Sequence, residues 1–238
     1  VPPLYPVFEH GNDGKILADK KIPGGQSYDY GQGDGISRPF SGGINPAGAI
    51  RLDRDEDLSN LTTGNLNLEY RFLKDFKLAV TYGFQSTASK NETLANPYYG
   101  DAAKIGRIYN TNENDFSWTL NEILSWGKTF GDHTVDAFIA HEATKNELDF
   151  HYSGKKKLIL GNVTTLDDGL IRGDISGYRL TYAIESYFGQ ARYDYKNKYY
   201  LSTSVRRDGS SRFAPDYRWG TFGSVGAAWI ISKEKFLS

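Results

Sequence analysis

The chain has 238 residues, 28 basic against 29 acidic side chains, and neither cysteine nor methionine. The balanced charge excludes the basic excess of a nucleic-acid binder, and the lack of Cys excludes disulfide frameworks, thiol catalysis and thiolate zinc sites. Seventeen Tyr, 13 Phe, four Trp and 26 Gly against eight Pro point to strands and turns rather than helices.

No window of the sequence is apolar for long enough to make a transmembrane helix. A mean hydropathy of -0.54 suggests a soluble protein for every class except one. The strands of a transmembrane barrel hide their apolar face behind alternation and give a weak hydropathy signal. Val1-Pro2-Pro3 resembles no signal peptide, and the start reads as an internal point of a longer chain.

Residues 1–62 read as a long loop region with little regular structure. Its stretch GGQSYDYGQGDGISRPFSGGINPAG (Gly24 to Gly48) is rich in turn dipeptides and has no period. Residues 63–238 read as about seven antiparallel strands. Leu66, Leu68, Tyr70 and Phe72 alternate with polar neighbours. After a turn at Lys74-Asp75, so do Phe76, Leu78, Val80, Tyr82 and Phe84. Phe116, Trp118, Leu120, Leu124, Trp126 and Phe130 share a face with Glu122 as the one misfit, and Val135, Ala137 and Ile139 follow the turn Gly131 to His133. Tyr187, Ala191, Tyr193 and Tyr195 precede the turn Lys196 to Lys198. Tyr199, Leu201, Thr203 and Val205 come next, and Trp219, Val225, Ala227, Trp229 and Ile231 close the pattern.

The three tight turns alternate with longer connections, read as Ser89 to Asn114, Ser153 to Gly177 and Asp208 to Arg218. An up-and-down outer-membrane barrel has short periplasmic turns and long extracellular loops, whereas a soluble sandwich has no reason to obey that rule. Aromatics also gather at strand ends, as interfacial girdles require.

The motifs of catalysis are missing: GxSxG, GxxxxGK and HExxH do not occur, which argues against an enzyme. His141 and Glu142 are neighbours on one strand and face opposite sides, a poor arrangement for a shared metal. The acidic run Asp53, Asp55, Glu56, Asp57 reads as a solvated loop, with a calcium site as the minority alternative, and the turn Asp167-Asp168-Gly169 lacks the remaining positions of a calcium loop. No metal or cofactor is expected. Tyr28, Tyr30, Tyr98 and Tyr99 are candidates for substrate stacking, and Arg38 or Arg107 for holding carboxylates, with loop packing as the alternative.

The last fifth of the chain carries a more specific signal. Ser186 to Gly189 (SYFG), Tyr193 to Lys196 (YDYK), Lys198 to Leu201 (KYYL), Arg206 to Phe213 (RRDGSSRF), Trp219 to Ser224 (WGTFGS) and Lys233 to Phe236 (KEKF) follow in order. This segment resembles the signature of SusC/RagA-type TonB-linked outer-membrane transporters of the Bacteroidota. YPVFEHGNDG and INPAG are similar to earlier segments of that family. Within the signature the loop residues are Arg207, Asp208, Gly209, Ser210, Ser211, Arg212 and Phe213.

The resemblance implies an all-β fold, a segment of an antiparallel up-and-down transmembrane barrel of about 22 strands closed by a plug. It also implies nutrient import in the outer membrane, powered through TonB by way of the plug, with a SusD-like surface lipoprotein as partner and an oligosaccharide or peptide as substrate. Outer-membrane lipid would surround the wall. A non-transporting β-rich binding or adhesion protein is the alternative.

Overall fold

Alternating apolar and polar residues put one greasy and one polar side on each strand, and backbone hydrogen bonds then join neighbours edge to edge. The computed structural model describes residues 5–22, 24–31, 42–234 and 236. Its seven strands are β1 (Arg54–Phe72), β2 (Phe76–Ala95), β3 (Arg107–Phe130), β4 (His133–Leu158), β5 (Gly169–Tyr195), β6 (Tyr199–Ser210) and β7 (Trp219–Trp229). They form one sheet in chain order, an antiparallel meander. The expected seven-stranded up-and-down architecture is what the chain adopts.

The tight turns have clear backbone causes. Leu73 and Lys74 take φ of 47° and 61°, and Lys196 and Asn197 take 59° and 52°. Two successive residues of positive φ match the right-handed twist of a hairpin. The turn between β3 and β4 is Gly131-Asp132 alone, with Gly131 at φ 58°, a conformation glycine adopts without steric cost. The first turn is thus Leu73 to Asp75, one residue longer than the sequence suggests, and His133 belongs to β4 rather than to the turn.

The longer connections are shorter than expected: residues 96–106, 159–168 and 211–218. Strands therefore run well beyond the alternating segments. β5 has 27 residues and β4 26, where a tilted crossing needs about 9–11. Likewise β1 opens at Arg54, inside the stretch 1–62 read as loop. Arg54 to Asp57 is polar on both sides, and Leu58 and Leu61 fall on opposite sides, so no alternation announces this stretch, yet ladder hydrogen bonds do not depend on side-chain polarity.

By contacts the chain divides into two units. One takes Val1–Asn60, Ala88–Glu113 and Phe150–Tyr178; the other takes Leu61–Thr87, Asn114–Asp149 and Arg179–Ser238. The first has two small cores, Tyr28 with Tyr30 and Tyr99, and Leu94 with Ile108 and Leu158. Its chain is not structureless: isolated bridges join Phe8 to Tyr28, His10 to Ile16 and Ala18 to Gln26. A one-turn-plus helix, α1 (Pro46–Leu52), follows. Asn45 caps it, accepting at Oδ1 from the Gly48 N–H (3.1 Å), with Pro46 in the first turn. The same side chain donates to the carbonyls of Val7 (2.8 Å) and Asp29 (3.0 Å), tying the segment together.

Candidate functional site

In the second unit the register separates the two faces residue by residue. Tyr195 pairs with Tyr199, Tyr193 with Leu201, Ala191 with Thr203, Gly189 with Val205 and Tyr187 with Arg207. On β7 the same face continues with Trp229, Ala227, Val225, Gly223 and Thr221. The other face pairs Asp194 with Tyr200, Arg192 with Ser202, Gln190 with Ser204, Phe188 with Arg206 and Ser186 with Asp208. There Ser204 and Ser224 share a hydrogen bond (2.7 Å). In β1 and β2, Thr81 donates to Asn67 (2.9 Å) and Lys77 pairs with Glu69 (3.7 Å), so their polar residues also share a side.

At the long-loop end of the polar face Arg206 is a hub. Its Nε donates to Asp208 Oδ1 (2.7 Å), one terminal nitrogen donates to the Ser186 hydroxyl (3.1 Å) and approaches Glu142 (3.4 Å), and its plane covers the Phe188 ring (4.7 Å). Ser186 is fully buried. β4, β5 and β6 are locked to one another here by a charge-assisted network. His141 and Glu142 face opposite sides as expected: His141 Nδ1 lies 3.0 Å from Glu122 Oε2, on the apolar face, away from Arg206.

The signature residues are placed differently from the expected loop. Arg207, Asp208, Gly209 and Ser210 are the last rungs of β6, and only Ser211, Arg212 and Phe213 enter the turn. Ladder bonding persists past the apolar stripe, which is why the polar DGS reads as loop but pairs as strand. Several of these residues are tied into the wall. Arg207 stacks on Trp219 (5.3 Å) and Arg212 on Tyr182 (4.1 Å). Ser211 exchanges two bonds with Ala183, its N–H donating to the carbonyl (2.9 Å) and its hydroxyl accepting from the N–H (2.8 Å). Ser210 N–H donates to the Arg218 carbonyl (3.0 Å) and accepts, at its own carbonyl, from Phe213 N–H (3.3 Å).

The tight-turn end is held by Glu234, within the KEKF motif. It accepts from the Tyr199 hydroxyl, from Lys198 Nζ (3.0 Å) and from Trp229 Nε1 (3.0 Å). The Tyr199 bond, then that of Lys198, holds its carboxyl down at about 2. Lys233 Nζ donates to the Asn197 carbonyl (2.8 Å), closing the same corner.

The four candidate tyrosines come together in the first unit. Tyr30 and Tyr99 stack (4.7 Å, 4° between planes), and both are buried with Tyr28. Tyr98 packs against this cluster and is only partly covered. The Tyr99 hydroxyl donates to Asp19 Oδ2 (2.8 Å), and Lys21 sits over its ring (4.2 Å). Asn96 accepts from the N–H groups of Tyr98 and Tyr99 (2.9 Å each) while donating to Asp53. Of the two candidate arginines, Arg107 is paired with Asp101 (2.5 Å), and Arg38 lies outside the described residues.

Burial, with the Asp53 carboxylate second, pushes the Tyr30 phenol up to about 12; burial does the same for Tyr99, opposed by its bond to Ser27 and reinforced by Asp19. A raised phenol pKa means that the cluster's stability is complete below pH 10 and is lost as pH rises through about 12. In an absorbance titration of the intact protein at 295 nm, replacing Tyr30 and Tyr99 by Phe should remove a step near pH 12 and leave the step of exposed tyrosines near 10. A loss confined to the step near 10 would show the two rings to be solvated.

Among the described residues no group of three or more His, Asp or Glu side chains is arranged to hold a metal ion. The second unit is a wall with two chemically distinct faces, and the first unit holds the packed tyrosine cluster.

No family model matches the chain. It is 29% identical over 197 residues to the TonB-dependent receptor SusC of Bacteroides thetaiotaomicron, covering 81% of this chain and 19% of the relative. It is 27% identical over 202 residues to the TonB-dependent receptor P3 of Formosa agariphila, covering 81% and 20%. Another TonB-dependent receptor of that organism is 46% identical over 57 residues, 24% of this chain and 6% of the relative. The structure of the RagAB peptide transporter matches with a TM-score of 0.76 at 22% identity, covering 91% of this chain and 24% of that one. The RagAB peptide importer in its open-open state matches at 0.73.

The sequence is similar to TonB-dependent receptors of the SusC type, and the fold to that of the RagAB transporter. Relatedness to receptors and likeness to the transporter fold coincide on one chain, with the alternating strands and the signature at its end. The chain spans about a fifth of the length of the curated relatives it matches. Its Arg206 hub and Glu234 corner are features that motif reading alone does not reveal. The signal for both was present, in that Arg206, its partner Ser186 and Glu234 each stand inside the signature; Glu142, the other partner of Arg206, lies on β4 and carries no local mark.

Proposed function

We propose that the chain is wall and loop structure of an outer-membrane importer that takes up oligosaccharides or peptides with energy delivered through TonB. The face alternation carries this reading. The side bearing Leu201, Thr203, Val205, Val225 and Ala227 suits lipid, and the side bearing Arg192, Ser202, Ser204 and Arg206 suits a polar lumen. Tyr195, Tyr199 and Trp229 form one girdle, and Tyr187 with Trp219 the other. With tight turns periplasmic, Ser211 to Phe213 and the tyrosine cluster are extracellular, where a SusD-like lipoprotein would meet them. The four tyrosines remain proposed substrate contacts, Tyr98 being the most accessible, and the role we assign the wall is passage rather than catalysis.

The test is uptake by cells carrying the intact protein with and without TonB. Deleting TonB should abolish accumulation of labelled substrate while leaving surface binding, and the intact protein should co-purify with a surface lipoprotein. Accumulation that persists without TonB sinks the transport reading and favours a binding or adhesion protein.

A further inference from the structure

We propose that the apolar face carries a site for a phosphate-bearing membrane lipid, its headgroup at Arg207 and an acyl chain in the groove beneath. This rests on the membrane-spanning reading above. A groove of about 520 Å³ opens on that face. Its apolar lining includes Leu78, Leu124, Ile139 and Val205. Gly189 stands opposite Val205 in register and contributes no side chain, which leaves the groove open between β4 and β6.

The far end of the same groove is polar, with Glu122, His141, Tyr187 and Arg207. Ionisable groups on a lipid-facing surface are costly unless they lie at the interface. They do lie at the girdle: Tyr187 pairs with Arg207 and stacks on Trp219 (6.2 Å). Tyr199 to Arg207, eight residues along a tilted strand, spans about 20 Å of membrane height.

The charges there are matched unequally. His141 lies 3.0 Å from Glu122 and 3.5 Å from Glu185, and Glu185 also accepts from the Tyr187 hydroxyl. Both carboxylates thus have partners. Arg207 has no carboxylate partner among the described residues and only the Trp219 indole beneath it. A planar guanidinium held on an aromatic face, with its N–H edge free, matches the bidentate geometry of a phosphate. At the bilayer surface that phosphate belongs to a lipid, and the adjoining apolar groove selects a ligand carrying acyl chains.

The experiment uses the intact protein purified in neutral detergent with added dioleoyl-phosphatidylglycerol, and bound lipid is counted by native mass spectrometry. The wild type should retain the lipid. Arg207→Gln should lower retention at least fivefold, as should Val205→Trp, which fills the groove over Gly189. Arg172→Gln, an arginine change elsewhere on β5, should leave retention unchanged. Inorganic phosphate at 20 mM should not displace the lipid. Wild-type retention in either variant overturns the proposal, and so does displacement by inorganic phosphate, which would mark a simple anion site. Should Val205→Trp fail to fold, Arg207→Gln decides alone. Membrane fractionation separates the two readings: a wild type absent from the outer membrane defeats the membrane-spanning reading itself, whereas variants present there with unaltered lipid defeat only the groove.

Discussion

Val80→Arg should destabilise the intact protein by about 2–4 kcal/mol, and Thr81→Arg by far less. Val80 is the midpoint of the outward series Phe76, Leu78, Val80, Tyr82 and Phe84 in β2. Phe76 stacks with Phe72 at the tight-turn end (5.5 Å), and Tyr82 meets Trp118 across the strand pair (6.3 Å). Aromatics thus bracket Val80 at both ends, which sets it near the bilayer midplane, where a guanidinium is least tolerated. Thr81 points the other way, its hydroxyl bonded to Asn67 (2.9 Å). An arginine there meets polar neighbours and the water of the lumen. Urea unfolding of the intact protein in lipid vesicles, followed by tryptophan fluorescence, measures the difference. Equal losses at the two positions would reject the assignment of faces.

The same alternation explains what could be read in advance. Leu201, Thr203 and Val205 against Ser202, Ser204 and Arg206 form a period of two that only a strand between unlike media requires, so strand number, order and faces were legible. The strand ends were not. In β3 the stretch Thr111-Asn112-Glu113-Asn114-Asp115 is polar on both sides, as is Arg54 to Asp57 in β1, because pairing there separates no apolar from polar surroundings. Asn45-Pro46 carried a helix-start signal that the glycine-rich context obscured. The Arg206 hub needs Glu142, 64 residues away in sequence, and the Tyr99 cluster needs Asp19, 80 away. No local pattern encodes such pairs; strand register brings Arg206 to Glu142, and loop packing brings Tyr99 to Asp19.

Gly209 tests that register at the most sequence-specific point of the wall. It is buried at the end of β6, paired with Trp219. A Cβ added there would lie 2.8 Å from one indole carbon and 2.9 Å from two others. Its φ is not positive, so alanine meets no backbone strain and the cost is steric alone. Gly209→Ala should therefore destabilise by about 1–3 kcal/mol, the usual range for overpacking, and Gly209→Val by more. The indole is the obstacle, so Trp219→Leu should relieve the clash. The double variant should then lose less than the sum of the single losses, a non-additivity expected of residues in contact. Displacing the indole also removes the surface on which Arg207 (5.3 Å) and Tyr187 (6.2 Å) rest. Gly209→Ala should for that reason lower phosphatidylglycerol retention in parallel with stability. The unfolding midpoints of the four proteins in one double-mutant cycle decide it: strictly additive losses, or a Gly209→Ala protein as stable as the wild type, would mean that β6 and β7 are not in this register.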